Sequence, residues 1–255
     1  MSILSIIIAV LPVILIGLFI YKNDKLKEPS GLLLKLFLGG VASCFPAVFL
    51  EKIISPLFPT EAQMNFIQML LYVFIAIAFV EELCKWFFVY MISYNNNEFD
   101  SLYDMIVYSS FVALGFACFE NILYVSSSGI LTGVVRAISA VPGHVCDGIF
   151  MGSYLALAKL NDEKGNYILS KKYKILSIVV PIIAHGIYDF CVFWDNPLFL
   201  LIFVVFVIIM FVTCFRKVKE VSRNDINFKY KNNYCTKCGL KVSTPYCTRC
   251  GNKNI

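Results

Sequence analysis

Seven apolar runs, separated by short polar breaks, dominate this chain and decide what it can fold into. In lipid an unpaired backbone N–H or C=O costs several kcal/mol, so only helices and closed barrels cross a bilayer. One helical crossing takes about 20 mostly apolar residues. Runs of that kind lie near 3–21, 31–55, 65–93, 102–126, 133–158, 174–195 and 197–216. The chain is 59% hydrophobic and only 15% charged, where soluble domains carry roughly a quarter charged residues. A soluble domain is excluded, and an all-α polytopic membrane helix bundle of about seven transmembrane helices is expected. Asp195-Asn196-Pro197 leaves room only for a tight turn, so the last two spans form a hairpin. The first run is not a signal peptide. It lacks a basic start and ends in Tyr21-Lys22-Asn23-Asp24-Lys25 without a small-residue cleavage site, so it reads as a retained anchor.

Lys and Arg gather in cytoplasmic loops. Lys22, Lys25 and Lys27 occupy the first loop, Lys159, Lys164, Lys171, Lys172 and Lys174 the fifth, and the second and sixth have none. The expected localisation is the cell membrane, with the N-terminus outside and the C-terminus cytoplasmic. Residues 216–255 carry +8 of a net +5, leaving the rest at −3. A basic tail beside a bilayer is a partner for anionic lipid, and no nucleic acid is expected. The chain thus divides into a helical bundle over 1–216, a basic juxtamembrane linker over 217–233 and a small ribbon over 234–251.

The ribbon reads YCTKCGLKVSTPYCTRCG. Two C-x-x-C knuckles, Cys235/Cys238 and Cys247/Cys250, each present two thiolates to one tetrahedral ion, and the glycine after each permits a tight turn. The eight residues between the pairs are fewer than in the longer C-x₂-C templates. A redox dithiol or a disulfide pair is the other reading, the latter disfavoured in a reducing cytoplasm. Structural zinc is expected, with a docking or regulatory role, since four thiolates leave no open position for substrate. The six other cysteines, scattered through apolar runs, read as small core residues.

Charges inside the apolar runs are the chemical signal. Such residues are costly at bilayer depth and mark functional paths or sites. The third run carries Glu81, Glu82 and Lys85, the fourth Glu120, the fifth His144 with Asp147, and the sixth His185 with Asp189. The chain has two histidines and both fall here. Glu81 and Lys85, like His185 and Asp189, are four apart and share a helix face. At 1.5 Å per residue these groups reach one broad layer, about 17 to 27 Å above the cytoplasmic ends. Converging faces would meet around a water-filled pocket. Three readings remain open on the residues alone: an ion or substrate relay in a transporter, a hydrolytic site, and structural polar contacts between helices. Internal repeats, which many transporters show, are not evident. H-E-x-x-H is absent, Ser153 stands in no G-x-S-G setting, and Asp104 reads as an N-terminal helix cap.

Taken together, EELCK (81–85), Phe116-Ala-Cys-Phe-Glu120-Asn121 and HGIYD (185–189), with His144 in the preceding span, resemble the E-E-x-x-K, F-x-x-x-E-N and H-x-x-x-D motifs of the PrsW family. The resemblance covers the third to sixth spans in the right order. Related CAAX-type endopeptidases carry Arg, His and Asn where this chain has Trp86, Glu120 and Asp189, so it sides with PrsW at each position. The resemblance implies an intramembrane protease making a site-one type cut in a single-pass membrane protein of the anti-sigma-factor kind. The catalytic set it implies is Glu81, Glu82, Lys85, Glu120, His144, His185 and Asp189. Either Glu81 or Glu82 would activate water, both histidines would serve the oxyanion or the leaving amine, and Asp189 would orient His185. Lys85 would balance charge and keep a carboxylate ionised, or serve only as an ion-pair partner for Glu81, and Glu120 would be a second acid or a water-positioning group. The family is classed both as glutamic and as metal-dependent. Without a compact two-ligand motif the glutamic version is favoured, and a catalytic zinc stays open. The zinc ribbon is not part of the family core. Richness in Asn, Lys and Ile points to a bacterial source.

Overall fold

Each apolar run folds into a helix in the computed structural model, which describes residues 3–194, 196–225, 233–234, 237–238, 240–242 and 246–252. In chain order these are α1 (Ile3–Asn23), α2 (Ser30–Ile54), α3 (Phe66–Ser93), α4 (Leu102–Ile138), α5 (Ala140–Glu163), α6 (Tyr167–Phe193) and α7 (Pro197–Arg223). By length and hydropathy they form six apolar stretches, because α4 and α5 run together over Leu102–Glu163 with only Ser139 between them. The expected boundary near 126–133 moves for this reason. Helix α4 continues to Ile138, and α5 begins at Ala140 rather than at 133. A straight helix of that length would span about 55 Å, well beyond the ~30 Å hydrocarbon core. The chain avoids this by breaking at Gly129, whose φ of 87° and ψ of −178° suit glycine alone.

Helices α4 and α5 form the centre. In their stretch 72% of the most apolar window is buried, against 22% for α1 and 11% for α7, which therefore flank the bundle and present Ile and Leu outward. Helix α2 meets α4 backbone to backbone. A Cβ on Gly40 would lie 2.0 Å from the Val112 carbonyl oxygen, and one on Gly115 1.9 Å from that of Phe37. Small residues allow such crossings, which membrane helices need because lipid gives apolar side chains no reason to associate.

Helix starts are fixed by polar caps. Asn65 and Gln68 form a capping box at α3, and Ser101 with Asp104 forms one at α4. Asp104 therefore caps as expected, from the third helical position. The free N–H of Tyr103 is taken by Asp225 Oδ1 at 3.0 Å, from the segment just after α7. Lys25 Nζ donates to the Arg223 carbonyl at 3.1 Å, and the Ser222 hydroxyl donates to that of Asn23. The α1–α2 loop, the start of α4 and the end of α7 are thus tied at one end of the bundle.

One element is irregular where the site lies. Between Tyr72 and Ala78, helix α3 is π-helical, and the Phe79 N–H bonds to the Phe74 carbonyl. Long π stretches are rare and gather at functional sites. Here the widened turn sets the phase of the residues just after it, Glu81, Glu82 and Lys85. The Phe74 ring fills the space above Gly186, where a Cβ would come within 2.6 Å of it. In the tail, Asn233–Tyr234 and Lys241–Val242 pair as two short antiparallel strands.

Candidate active site

Lys85 is the hub of the charged cluster. Its ammonium lies 3.2 Å from Glu81 Oε2, 2.7 Å from Glu82 Oε1 and 3.1 Å from His144 Nδ1. Three N–H donors thus meet three acceptors, and the centroid of the Phe116 ring lies 4.0 Å from the nitrogen. The first two bonds arise from helical spacing on α3; the third joins α3 to α5. An ammonium only donates, so His144 Nδ1 accepts and Nε2 carries the proton. That Nε2–H points at Glu120 Oε2, 2.8 Å away on α4.

His185, on α6, is held from both sides. Its Nδ1 is 2.8 Å from Glu82 Oε1 and its Nε2 is 3.1 Å from Asp189 Oδ2, one turn along the same helix. Nε2 also lies 3.8 Å from Glu81 Oε2. The two imidazole rings stand edge to face with centroids 5.2 Å apart. All seven residues of the catalytic set implied by the sequence are therefore drawn into one network spanning α3, α4, α5 and α6.

The two glutamates occupy different positions. Glu82 is fully buried, whereas Glu81 reaches the wall of a cavity of about 970 Å³. Glu120, His144, Asp147, His185 and Asp189 line the same cavity, and Leu131, Val135, Leu200 and Phe203 supply apolar walls. The cavity thus sets carboxylates that can take a proton against apolar walls.

Two further residues belong here. Asp147 on α5, noted in the sequence only as a neighbour of His144, is 3% exposed; its Oδ1 has no hydrogen-bond partner among the described residues, and its Oδ2 is 4.0 Å from His185 Nδ1. Arg136 sits near the end of α4 with Nη2 2.7 Å from Glu120 Oε2. Sequence reasoning passed over it, although an arginine inside an apolar run without an acid three or four residues away signals a distant partner.

Metal binding can be tested on the donor set. One ligand atom from each of Glu81, Glu82, His144 and His185 falls within 4.8 Å of the others, and Glu82 Oε2 is buried with no hydrogen-bond partner among the described residues. Two carboxylates and two imidazoles fit zinc in kind and in compactness. Lys85 contests that position, because three of the four groups already bond to its ammonium.

In the tail, Cys238, Cys247 and Cys250 also lie within 4.8 Å of one another. The Cys238 and Cys247 sulfurs are 3.5 Å apart. Burial works against the Cys247 thiolate, but backbone N–H groups of Cys250 and Arg249 outweigh it and bring its pKa below the ordinary thiol value. Cys235, the fourth expected ligand, lies outside the described residues.

Comparison with known proteins places this geometry. The model of the PrsW family intramembrane metalloproteases matches residues 28–214. Protease PrsW of Oceanobacillus iheyensis is 35% identical over 226 residues, covering 89% of this chain and 99% of that protein. Protease PrsW of Geobacillus kaustophilus is 36% identical over 177 residues, 69% of this chain and 74% of the relative. The Bacillus subtilis protein of the same name is 35% identical over 176 residues, 69% and 76% of the two chains. No solved structure matches the chain.

Proposed function

This chain belongs to the PrsW family of intramembrane proteases, and from that premise we propose that it cuts single-pass membrane proteins, of the anti-sigma-factor kind, with Glu81 as the general base. The carrying observation is that Glu81 reaches the cavity wall while Glu82 is buried behind it. Glu81 takes a proton from water in the cavity, and the water oxygen attacks the scissile carbonyl. Lys85 balances the paired carboxylates. His185, facing Asp189 and 3.8 Å from Glu81, holds a proton for the oxyanion or the leaving amine. Asp189 orients it, and Glu120 does the same for His144.

In co-expression with tagged single-pass membrane proteins, the wild type releases fragments and Glu81→Gln, still inserted and folded, releases none. Cleavage that continues unchanged in Glu81→Gln defeats the assignment. A transporter would instead drive ion flux in proteoliposomes and release no fragments.

The compact donor set favours a second reading, in which Glu81, Glu82, His144 and His185 hold zinc. Bound there, zinc would supply Lewis-acid polarisation of a carbonyl and a more acidic water. Metal analysis of purified protein decides between the readings, provided the ribbon is accounted for. We propose structural zinc on Cys235, Cys238, Cys247 and Cys250, supported by the clustering of the last three. Stoichiometric zinc that disappears in a Cys235→Ser, Cys247→Ser variant assigns it to the ribbon alone, and zinc that persists points to the membrane site.

From the Lys and Arg of the loops we further propose that the N-terminus lies outside and the C-terminus in the cytoplasm, where the basic tail over 216–255 meets anionic lipid. A C-terminal reporter active only in the periplasmic or extracellular space would reverse that topology.

A further inference from the structure

Arg136 has no acid at three or four residues on either side, since Thr132, Gly133, Ser139 and Ala140 stand there. Its charge is nonetheless matched. Nη2 lies 2.7 Å from Glu120 Oε2, and the guanidinium carbon sits 3.8 Å from the centroid of the Tyr124 ring. Along an unbroken helix, positions 120 and 136 would stand about 24 Å apart. The contact exists because α4 folds back at Gly129, laying its last turns beside Glu120. Packing there is close: a Cβ on Gly133 would come within 2.4 Å of Val125.

The Glu120 oxygen that receives Arg136 is the one facing His144 Nε2 at 2.8 Å. Glu120 is at the cavity wall and its side chain is 19% exposed. Without a second partner, this carboxylate is free to rotate toward the cavity and release the imidazole. His144 in turn meets Lys85, which meets Glu81. We propose that Arg136 is a positioning residue of the protease: delivered by the fold-back at Gly129, it pins Glu120 in the rotamer that holds His144 against Lys85. This rests on the proteolytic reading of the cluster. Arg136 acts through Glu120, not on the substrate.

The test uses the full-length enzyme in proteoliposomes with a tagged single-pass substrate that it cleaves in cells. Arg136→Gln is expected to lower kcat on the order of 100-fold with KM unchanged, since loss of alignment at a reacting centre has that scale. Arg136→Lys, which keeps the charge, recovers part of the loss. In a Glu120→Gln background, Arg136→Gln adds no further loss, because the two side chains act as one unit. Gly129→Ala, which strains the fold-back and so shifts Arg136 from Glu120 while both residues keep their identity, lowers kcat in the same way.

A raised KM at unchanged kcat, full additivity with Glu120→Gln, or wild-type rates in Arg136→Gln each overturn the proposal. Should Arg136→Gln fail to fold, Tyr124→Leu removes the ring beneath the guanidinium and carries the test: a smaller kcat loss supports the role, and an unchanged kcat overturns it. Glu81→Gln runs alongside. If it is inactive while Arg136→Gln is unaffected, only the positioning role falls; if Glu81→Gln cleaves normally, the reading of the whole cluster falls with it.

Discussion

Lys85 is 1% exposed and sits among two glutamates and an imidazole. Removing one partner from a buried ion pair costs about 3–5 kcal/mol, because the other charge stays behind unmatched. Lys85→Met is therefore expected to lower the melting temperature in detergent sharply. Lys85→Arg restores little, since a planar fork cannot put one nitrogen among three converging acceptors. A melting temperature equal to wild type in Lys85→Met would contradict the hub role. At the opposite end, burial pushes the Asp24 carboxyl up to about 6, and burial with the nearby Asp104 carboxylate pushes Glu28 up to about 9. Glu28 also accepts a hydrogen bond from the Tyr108 hydroxyl. Both groups bind a proton more tightly folded than unfolded, where carboxyls titrate near 4. Their contribution is complete below that value and is lost as pH rises through about 6 for Asp24 and about 9 for Glu28. Stability should fall with pH across that window, and Glu28→Gln should flatten the slope above pH 6, measured by melting temperature against pH. The local pairs, Glu81 with Lys85 and His185 with Asp189, were legible because helical spacing alone brings them together. Which glutamate reaches the cavity was not, because that depends on the helices packed around α3.

The π stretch Tyr72–Ala78 acts as a phase setter for α3. A π turn holds one residue more than an α turn over nearly the same rotation, so deleting one residue from it leaves a regular α-helix with Glu81, Glu82 and Lys85 close to their present phase. Adding one residue to the α-helical part just after it, before Glu81, instead turns the cluster by about 100° from His144 and His185. The expected outcome of the insertion is a protein that inserts into membranes and has lost cleavage, read as expression against fragment yield. Full activity in the insertion would contradict the phase argument. Apolar length predicted each helix, since crossing lipid demands it, but neither irregularity. A π turn has no compositional mark, and Gly129 lies in SSSGIL, which reads as a loop between two spans. In the structure the helix resumes after that glycine, and so Arg136 comes back onto Glu120.

Over the whole molecule, the segment after α7 is fastened to the bundle before the ribbon begins. Asp225 takes the Tyr103 N–H at the start of α4, and caps of this kind contribute about 1 kcal/mol. A chain ending just after Asp225 is expected to melt as the full chain does and still cleave. One ending before it should lose roughly 1 kcal/mol, seen as a lower melting temperature. Equal melting of the two truncations would argue against the cap. Helix α1 stands outside the matched span of 28–214, yet Asn121, next to Glu120, donates its amide to the Ala9 carbonyl of α1 at 3.2 Å. A chain trimmed to residues 28–214 would leave that amide without the Ala9 carbonyl, one residue from the carboxylate that steadies His144. Anyone shortening this protein for reconstitution should therefore carry the first helix along.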